Sequence, residues 1–344
     1  MRNRKLGVSL AGLLAATLAL TACGSSTDDD TADTSDGLLS SVDTMFGTID
    51  VPEPEDGDLT VVALGWSDAE TALALGVKPV AVYDWLGFGA DDKGVGPWAS
   101  DLYGDVDPEI IENVGEDLNY EQIQALDPDL ILNTRAGNDE KQFKRLNDIA
   151  PTIYAPKDTP AYGTKWRVQT QLVADALGQS DDGKTLIADV EKQIADAAEA
   201  HPEFKGKTAV SSTKFGEAYG AYVAGDARWD LLEELGFVQN PPVLKLKPNG
   251  FYVDVSVEQI EALDADVTVL FPIGYTLKDV ENDKLIASLD SVKDGRAVFL
   301  GESSGGAADE KADLSQAFSA TSILSIPVAV KGIVPLLADA TAKL

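Results

Sequence analysis

Two α/β lobes with mainly parallel sheets, joined by a long rigid helix and separated by a ligand cleft, are the fold class the sequence predicts. Three observations carry it. Thirteen residues from Asp117 to Asp129, D-L-N-Y-E-Q-I-Q-A-L-D-P-D, return from Asp254 to Asp266 as D-V-S-V-E-Q-I-E-A-L-D-A-D, identical at eight positions and 137 residues apart. A period that long exceeds any solenoid unit and marks two lobes of one design. Residues 60–64, a helix ending at Gly76 and residues 80–82 read as strand–helix–strand, which implies a parallel sheet with a right-handed crossover. From about 164 to 200 the pattern is helical throughout, with Val168, Leu172, Val173, Ala176 and Leu177 on one face. A helix of that length between two α/β lobes acts as a stiff spine.

The elements follow in order. Residues 1–22 read as a signal peptide: Arg2, Arg4 and Lys5 precede an apolar run over 6–20 that is too short for a comfortable membrane span. Leu20-Thr21-Ala22-Cys23 resembles a bacterial lipobox, and the chain's single cysteine, Cys23, sits at the cleavage position as the residue to be lipidated. Two acyl chains on one residue give stable anchoring where one is marginal. Residues 23–57 are expected to be an acidic disordered tether, with eleven acidic and no basic residues between 24 and 58. The N-terminal lobe spans 58–162. The linker helix spans 163–203, with Gly178 and Gly183 dividing it, its second part running from Lys184 to Ala200 and His201 capping its C-terminus. The C-terminal lobe spans 204–344. It has strands near 208–211, 222–223, 267–271 and 297–300, helices near 228–235 and 283–289, and a final helical region from about 314 interrupted by Pro327 and Pro335. Each repeat copy opens with an N-cap residue, Asn119 or Ser256, and places Gln122 or Gln259 where a capping box needs it.

Composition narrows the chemistry. The formal charge of −31 excludes nucleic acid as a partner, since a phosphate backbone needs clustered Lys and Arg. One cysteine and one histidine, His201, exclude a disulfide framework, a His-rich or Cys-based metal site, and any catalytic triad that does not use His201. Residues 301–305 fit G-x-S-x-G, but the nucleophile elbow needs a downstream histidine, and His201 lies upstream. No Walker A sequence is present, so any transport energy comes from elsewhere. Ligands bind beyond the carboxyl ends of parallel strands. There the sequence places Trp66 after the first strand, Tyr83, Trp85 and Phe88 after the second, and Arg135 after the first repeat copy.

The stretches V-V-A-L-G-W-S-D-A-E-T-A-L-A-L-G-V-K-P-V (61–80), N-Y-E-Q-I-Q-A-L-D-P-D-L-I-L (119–132), V-S-V-E-Q-I-E-A-L-D-A-D (255–266) and F-S-A-T-S-I-L-S-I-P-V-A-V (318–330) resemble, in order and spacing, the substrate-binding lipoproteins of ATP-driven importers that capture ferric siderophores, cobalamin or haem. The resemblance covers essentially the whole mature chain and is greatest to Gram-positive iron-siderophore lipoproteins. It implies two Rossmann-like lobes on one helix, no catalysis, no cofactor, a monomer, and a ferric siderophore as ligand. It also implies a lipid anchor on the outer face of the cytoplasmic membrane. Glu121 and Glu258 match the positions that dock on arginines of the permease dimer. Arg135, in N-T-R-A-G, matches a cleft-loop position. Trp66, Tyr83 and Trp85 in the first lobe and Tyr222, Arg228 and Tyr275 in the second lie where strand ends meet the cleft, which suits a bulky chelate bound by aromatic faces and Arg. Haem or cobalamin is the alternative ligand, with Tyr83 or Tyr222 as a haem ligand. From other classes, the alternatives are an extracytoplasmic enzyme with two converging carboxylates and a surface adhesion or sensory module.

Overall fold

The computed structural model describes residues 37–54, 57–114, 117–215, 218–273, 276–301 and 314–344, and residues 37–344 make up one compact unit. Cys23, Tyr275, the expected signal peptide and residues 302–305 lie outside the described residues.

Short apolar runs build the first-lobe sheet. Among the described residues it has five strands, in the spatial order Glu109–Ile110, Ala81–Val82, Val61–Ala63, Leu130–Asn133 and Thr152–Tyr154, and every pairing is parallel. A parallel sheet must be covered on both faces. Val61, Leu130 and Ile153 enter the larger core of this lobe, while Ala63 and Val82 meet a smaller one with Leu73 and Tyr103.

The second sheet is mixed. Thr208–Phe215 pairs in parallel with Val267–Ile273, and that strand with Ala297–Phe299. On the other side Ala218–Tyr222, Tyr252–Val255 and Pro248–Asn249 follow one another antiparallel. Alternation along Val267–Ile273 sends Val269 and Phe271 into one core and Leu270 into the other.

The expected tether is corrected over its second half. Leu38–Thr44 and Gly47–Pro52 form an antiparallel hairpin whose Val42, Ile49 and Val51 are buried in the first-lobe core. The reason is the period-2 placement of these residues among Ser, Asp and Thr, which an average over an acid-rich segment conceals. Phe46, at the hairpin turn, stacks on Phe143 at 4.5 Å and meets the edge of Tyr154 at 5.1 Å.

Two helices link the lobes, Trp166–Ala176 and Ser180–Ala200. The second starts at Ser180 rather than Lys184, because Gly183 does not break it. A Cβ at Gly183 would stand 2.4 Å from the Cβ of Ala174, so glycine there permits the two helices to approach. The 21-residue second helix, about 30 Å long, packs on its predecessor and then on Ala227–Glu234 and Ser325–Thr341 of the second lobe. Side chains brace the junction. Arg167 donates to Glu234 through Nη1 and Nη2, each at 2.9 Å, and Lys165 Nζ lies 2.9 Å from Asp230.

The C-terminal helices are Leu314–Ala320 and Ser325–Thr341. Pro335 sits inside the second and Pro327 in its first turn, so neither makes the break; it falls at residues 321–324. The second repeat copy also departs from its twin. Val257–Leu263 is a 3₁₀ helix, whereas Tyr120–Ala125 is α. Among the described residues no helix is long and apolar enough to cross a membrane.

Candidate functional site

Because the first-lobe strands are all parallel, their carboxyl ends lie along one edge and deliver their next residues to the same place. Gly65 turns the chain after Val61–Ala63. A Cβ there would lie 2.1 Å from Oδ2 of Asp68, so only glycine fits. Trp66 follows, and its ring stacks with that of Trp85 at 6.0 Å and 8°. Tyr83 and Tyr162 meet Trp85 edge-on at 4.9 and 5.7 Å. The Trp85 indole N–H donates to the carbonyl of Leu64 at 2.7 Å, and Asn113 donates to the Tyr83 hydroxyl at 2.9 Å, which fixes both rings. The result is a half-buried aromatic wall. Its hollow is lined by Trp66, Glu70, Tyr83, Trp85, Phe88 and Val95.

Arg135 closes the edge of the wall. Its guanidinium carbon lies 4.7 Å from the Trp66 ring centroid, a cation–π arrangement. The side chain is buried and donates to the carbonyl of Ala320 at 2.9 Å and to the Thr321 hydroxyl at 2.8 Å. Burial pushes its pKa down to about 10, and Arg228 of the second lobe acts in the same direction, while Asp226, Asp68 and Glu70 oppose it. The Arg135 guanidinium therefore stays charged at neutral pH and lies within electrostatic reach of both Asp226 and Arg228.

The second lobe presents Arg228 from the first turn of Ala227–Glu234, whose N-cap is Asp226. Asp226 takes Nε and Nη2 of Arg228 at 2.8 and 2.6 Å, and both residues are 5% exposed. The guanidinium carbon of Arg228 lies 3.6 Å from the Tyr222 ring centroid and 5.8 Å from that of Phe271. Tyr222 is itself buried and stacked with Phe271 at 5.7 Å. Its ring belongs to the second-lobe core rather than to an open surface.

A strap between the lobes completes the geometry. Ser67 donates to the Ala320 carbonyl at 3.0 Å, and Ser322 Oγ bonds to Glu70, which also accepts from the Trp98 indole at 2.7 Å. Ser67 and Thr321 both adopt positive φ, 66° and 48°, which is costly for a β-branched threonine. The first lobe thus grips residues 320–322 of the C-terminal segment at three side chains. Sequence reading missed Ser67, Glu70, Ser322 and Asp226. Only Asp226, an N-cap type just before a helical run, carried a local signal.

Two carboxylates lie at this edge, but they serve different partners. Asp68 bonds Thr134 and Gln169, and Glu70 bonds Gly96, Trp98 and Ser322. Burial raises the pKa of each, against the hydrogen bonds and the Arg135 charge. For Glu70 the native state therefore keeps a proton that the unfolded chain has lost above its ordinary value of 4.5, and stability falls as pH rises through the window from there to the raised value. Glu70→Gln removes this loss. The stability of the variant relative to wild type should rise with pH in urea unfolding series from about pH 4 to pH 8. A difference that stays constant with pH sinks this account.

Glu121 and Glu258 are exposed, each the second residue of its repeat helix. Asn119 accepts from the Gln122 backbone at 3.1 Å, but the Gln122 side chain reaches Ile110 instead of closing a capping box. Ser256 and Gln259 do form one.

Two lobes on a helical spine, each with an arginine set against an aromatic ring near their junction, have the architecture of a substrate-binding protein. The chain belongs to the periplasmic binding protein family, whose sequence profile matches residues 61–303. It is 32% identical over 304 residues to the probable siderophore-binding lipoprotein YfiY of Bacillus subtilis, covering 83% of this chain and 87% of that one. It is 26% identical to the Fe(3+)-citrate-binding protein YfmC of the same organism, covering 86% and 89%. Among solved structures it resembles a periplasmic solute binding protein from Mycobacterium smegmatis, with TM-score 0.73, 26% identity and coverage of 89% and 99%. It also resembles PiaA of Streptococcus pneumoniae in complex with ferrichrome, with TM-score 0.69, 25% identity and coverage of 88% and 99%. Family and relatives alike are binding proteins, not enzymes.

Proposed function

We propose that this chain is the receptor of an ATP-driven importer, anchored to the outer face of the membrane through lipidated Cys23. It captures a ferric siderophore in the cleft and delivers it to a permease dimer, docking through Glu121 and Glu258. The observation that carries the reading is the half-buried aromatic wall of Trp66, Tyr83, Trp85 and Tyr162 at the carboxyl edge of the first-lobe sheet, with the Arg135 guanidinium against its Trp66 ring. A metal chelate presents flat, polarisable ligand arms and oxygen acceptors, which suit aromatic faces and guanidinium donors. The relatives named for siderophore and ferric-citrate binding support the same ligand class. Cys23, Tyr275 and the docking roles rest on the sequence resemblance.

Tryptophan quenching on the soluble fragment beginning after Cys23 tests the reading. Trp66 and Trp85 stand in the wall itself, and Trp98 borders it against Phe88. Against ferric hydroxamates, ferric catecholates, ferric citrate, haem and cobalamin, one iron-chelate class should quench with a dissociation constant of about 1 μM or below. Arg135→Ala should weaken that binding at least about tenfold, the scale of a lost charged hydrogen bond. Quenching by haem or cobalamin alone would move the assignment to the alternative ligand, and silence across the panel would remove it.

A further inference from the structure

We infer that the cleft takes a ferric chelate of zero or low net charge, of the tris-hydroxamate type, rather than a trianionic tris-catecholate. This rests on the receptor reading above and narrows its ligand.

The argument is one of charge partners. Among the described residues, three cations near the lobe junction and the second-lobe strand ends come with their own acids. Arg228 is neutralised by Asp226 in a buried two-point pair. Lys214, near the carboxyl end of Thr208–Phe215, is bonded to Asp283, and Lys165 to Asp230. Arg135 is the remaining guanidinium, and Asp68 and Glu70 of the helix Asp68–Ala74 act on it from the same lobe. These described residues together thus offer about one unneutralised positive charge. A formal charge of −31 over the whole chain adds long-range repulsion for any anion that approaches.

A trianionic chelate would exchange its hydration for a site that cannot balance it, and that cost is returned only when buried charges are paired. An uncharged tris-hydroxamate meets no such barrier. Three hydroxamates cancel the ferric charge, and the chelate surface left is apolar edge and oxygen acceptor. The wall supplies what that surface needs. It offers the rings of Trp66, Tyr83, Trp85 and Tyr162, and the buried indole N–H of Trp66, which has no acceptor among the described residues. An unpaired buried donor of this kind is uncommon in a folded protein.

The test uses the wild-type body and a matched pair of tripodal ferric chelates that share one backbone and differ only in bearing hydroxamate or catecholate arms. Tryptophan quenching is read at about 0.05 M and about 0.5 M salt, concentrations that bracket strong and weak screening. The uncharged member should bind at least about tenfold more tightly than the trianionic one, with less than about a twofold change between salts. Equal or tighter binding of the trianionic member overturns the charge inference and leaves the receptor reading standing. Failure of both members at both salts overturns the receptor reading together with it.

Discussion

Iron uptake should fall to background in cells whose receptor carries Glu121→Ala together with Glu258→Ala, while the purified double variant should bind its chelate as wild type does. Both carboxylates are exposed, so their loss should leave the core and the aromatic wall intact. Each stands at the second position of a capped turn, where the peptide dipoles favour a negative charge. The Glu258 carboxyl is held below its usual range by its own backbone N–H and by the Ser256 hydroxyl. Removing one charge from a desolvated interface pair commonly costs 10-fold or more in binding, and about 2 kcal/mol upward where the partner is left bare. Two such losses should therefore be measured as at least about a hundredfold drop in radioactive-iron uptake at limiting chelate. The single variants should fall between. Uptake at the wild-type rate with both glutamates gone would sink the docking role and favour a surface module with no transport partner.

Removing the N-terminal hairpin should be the most damaging change to stability. A fragment starting at residue 58 loses the buried Val42, Ile49 and Val51, and it uncovers Phe143 and Tyr154, on which Phe46 packs. It also loses two fastenings, Ser40 Oγ to the Ala176 carbonyl at 2.9 Å and the Met45 amide to the Ala155 carbonyl at 2.8 Å. At about 1.5–3 kcal/mol for each buried aliphatic side chain, the loss is of order 5 kcal/mol. For a body of this size each kcal/mol lowers Tm by roughly 2–4 °C, so a drop on the order of 10 °C is expected in thermal circular dichroism. A fragment that melts with the intact chain would show that the hairpin merely rides on the lobe.

Most of the lobe architecture was legible because it is written locally. The strand runs at Val61–Ala63, Leu130–Asn133 and Val267–Ile273 are apolar and bounded by turn residues, and the duplicated stretch announces two lobes. Trp66, Tyr83, Trp85 and Arg135 could be placed at one edge for the same reason: each comes shortly after a strand, and parallel strands bring their ends together. The hairpin was concealed by averaging, since one acidic segment held a featureless half and an alternating half. The strap was beyond local reading. Ser67 meets Ala320 and Glu70 meets Ser322 across some 250 residues of chain, and no pattern in either neighbourhood announces the other. The break between the C-terminal helices was misassigned to proline; it coincides instead with the Arg135–Thr321 bond and with reciprocal backbone-to-hydroxyl bonds between Ser322 and Ser325. Tyr222 looked like a cleft residue from its strand end, yet the stack with Phe271 and Arg228 draws it into the core.

The braces between the lobes have a thermodynamic consequence. Arg167 and Lys165 tie the first linker helix to the second lobe, and Ser67, Glu70 and Arg135 hold the C-terminal segment from the other side. A receptor restrained at several points spends little entropy on arranging itself around its cargo. Such preorganisation lets contact energy at the wall appear directly as affinity instead of being consumed by ordering. Selectivity then lies in how well a chelate matches a surface already in place.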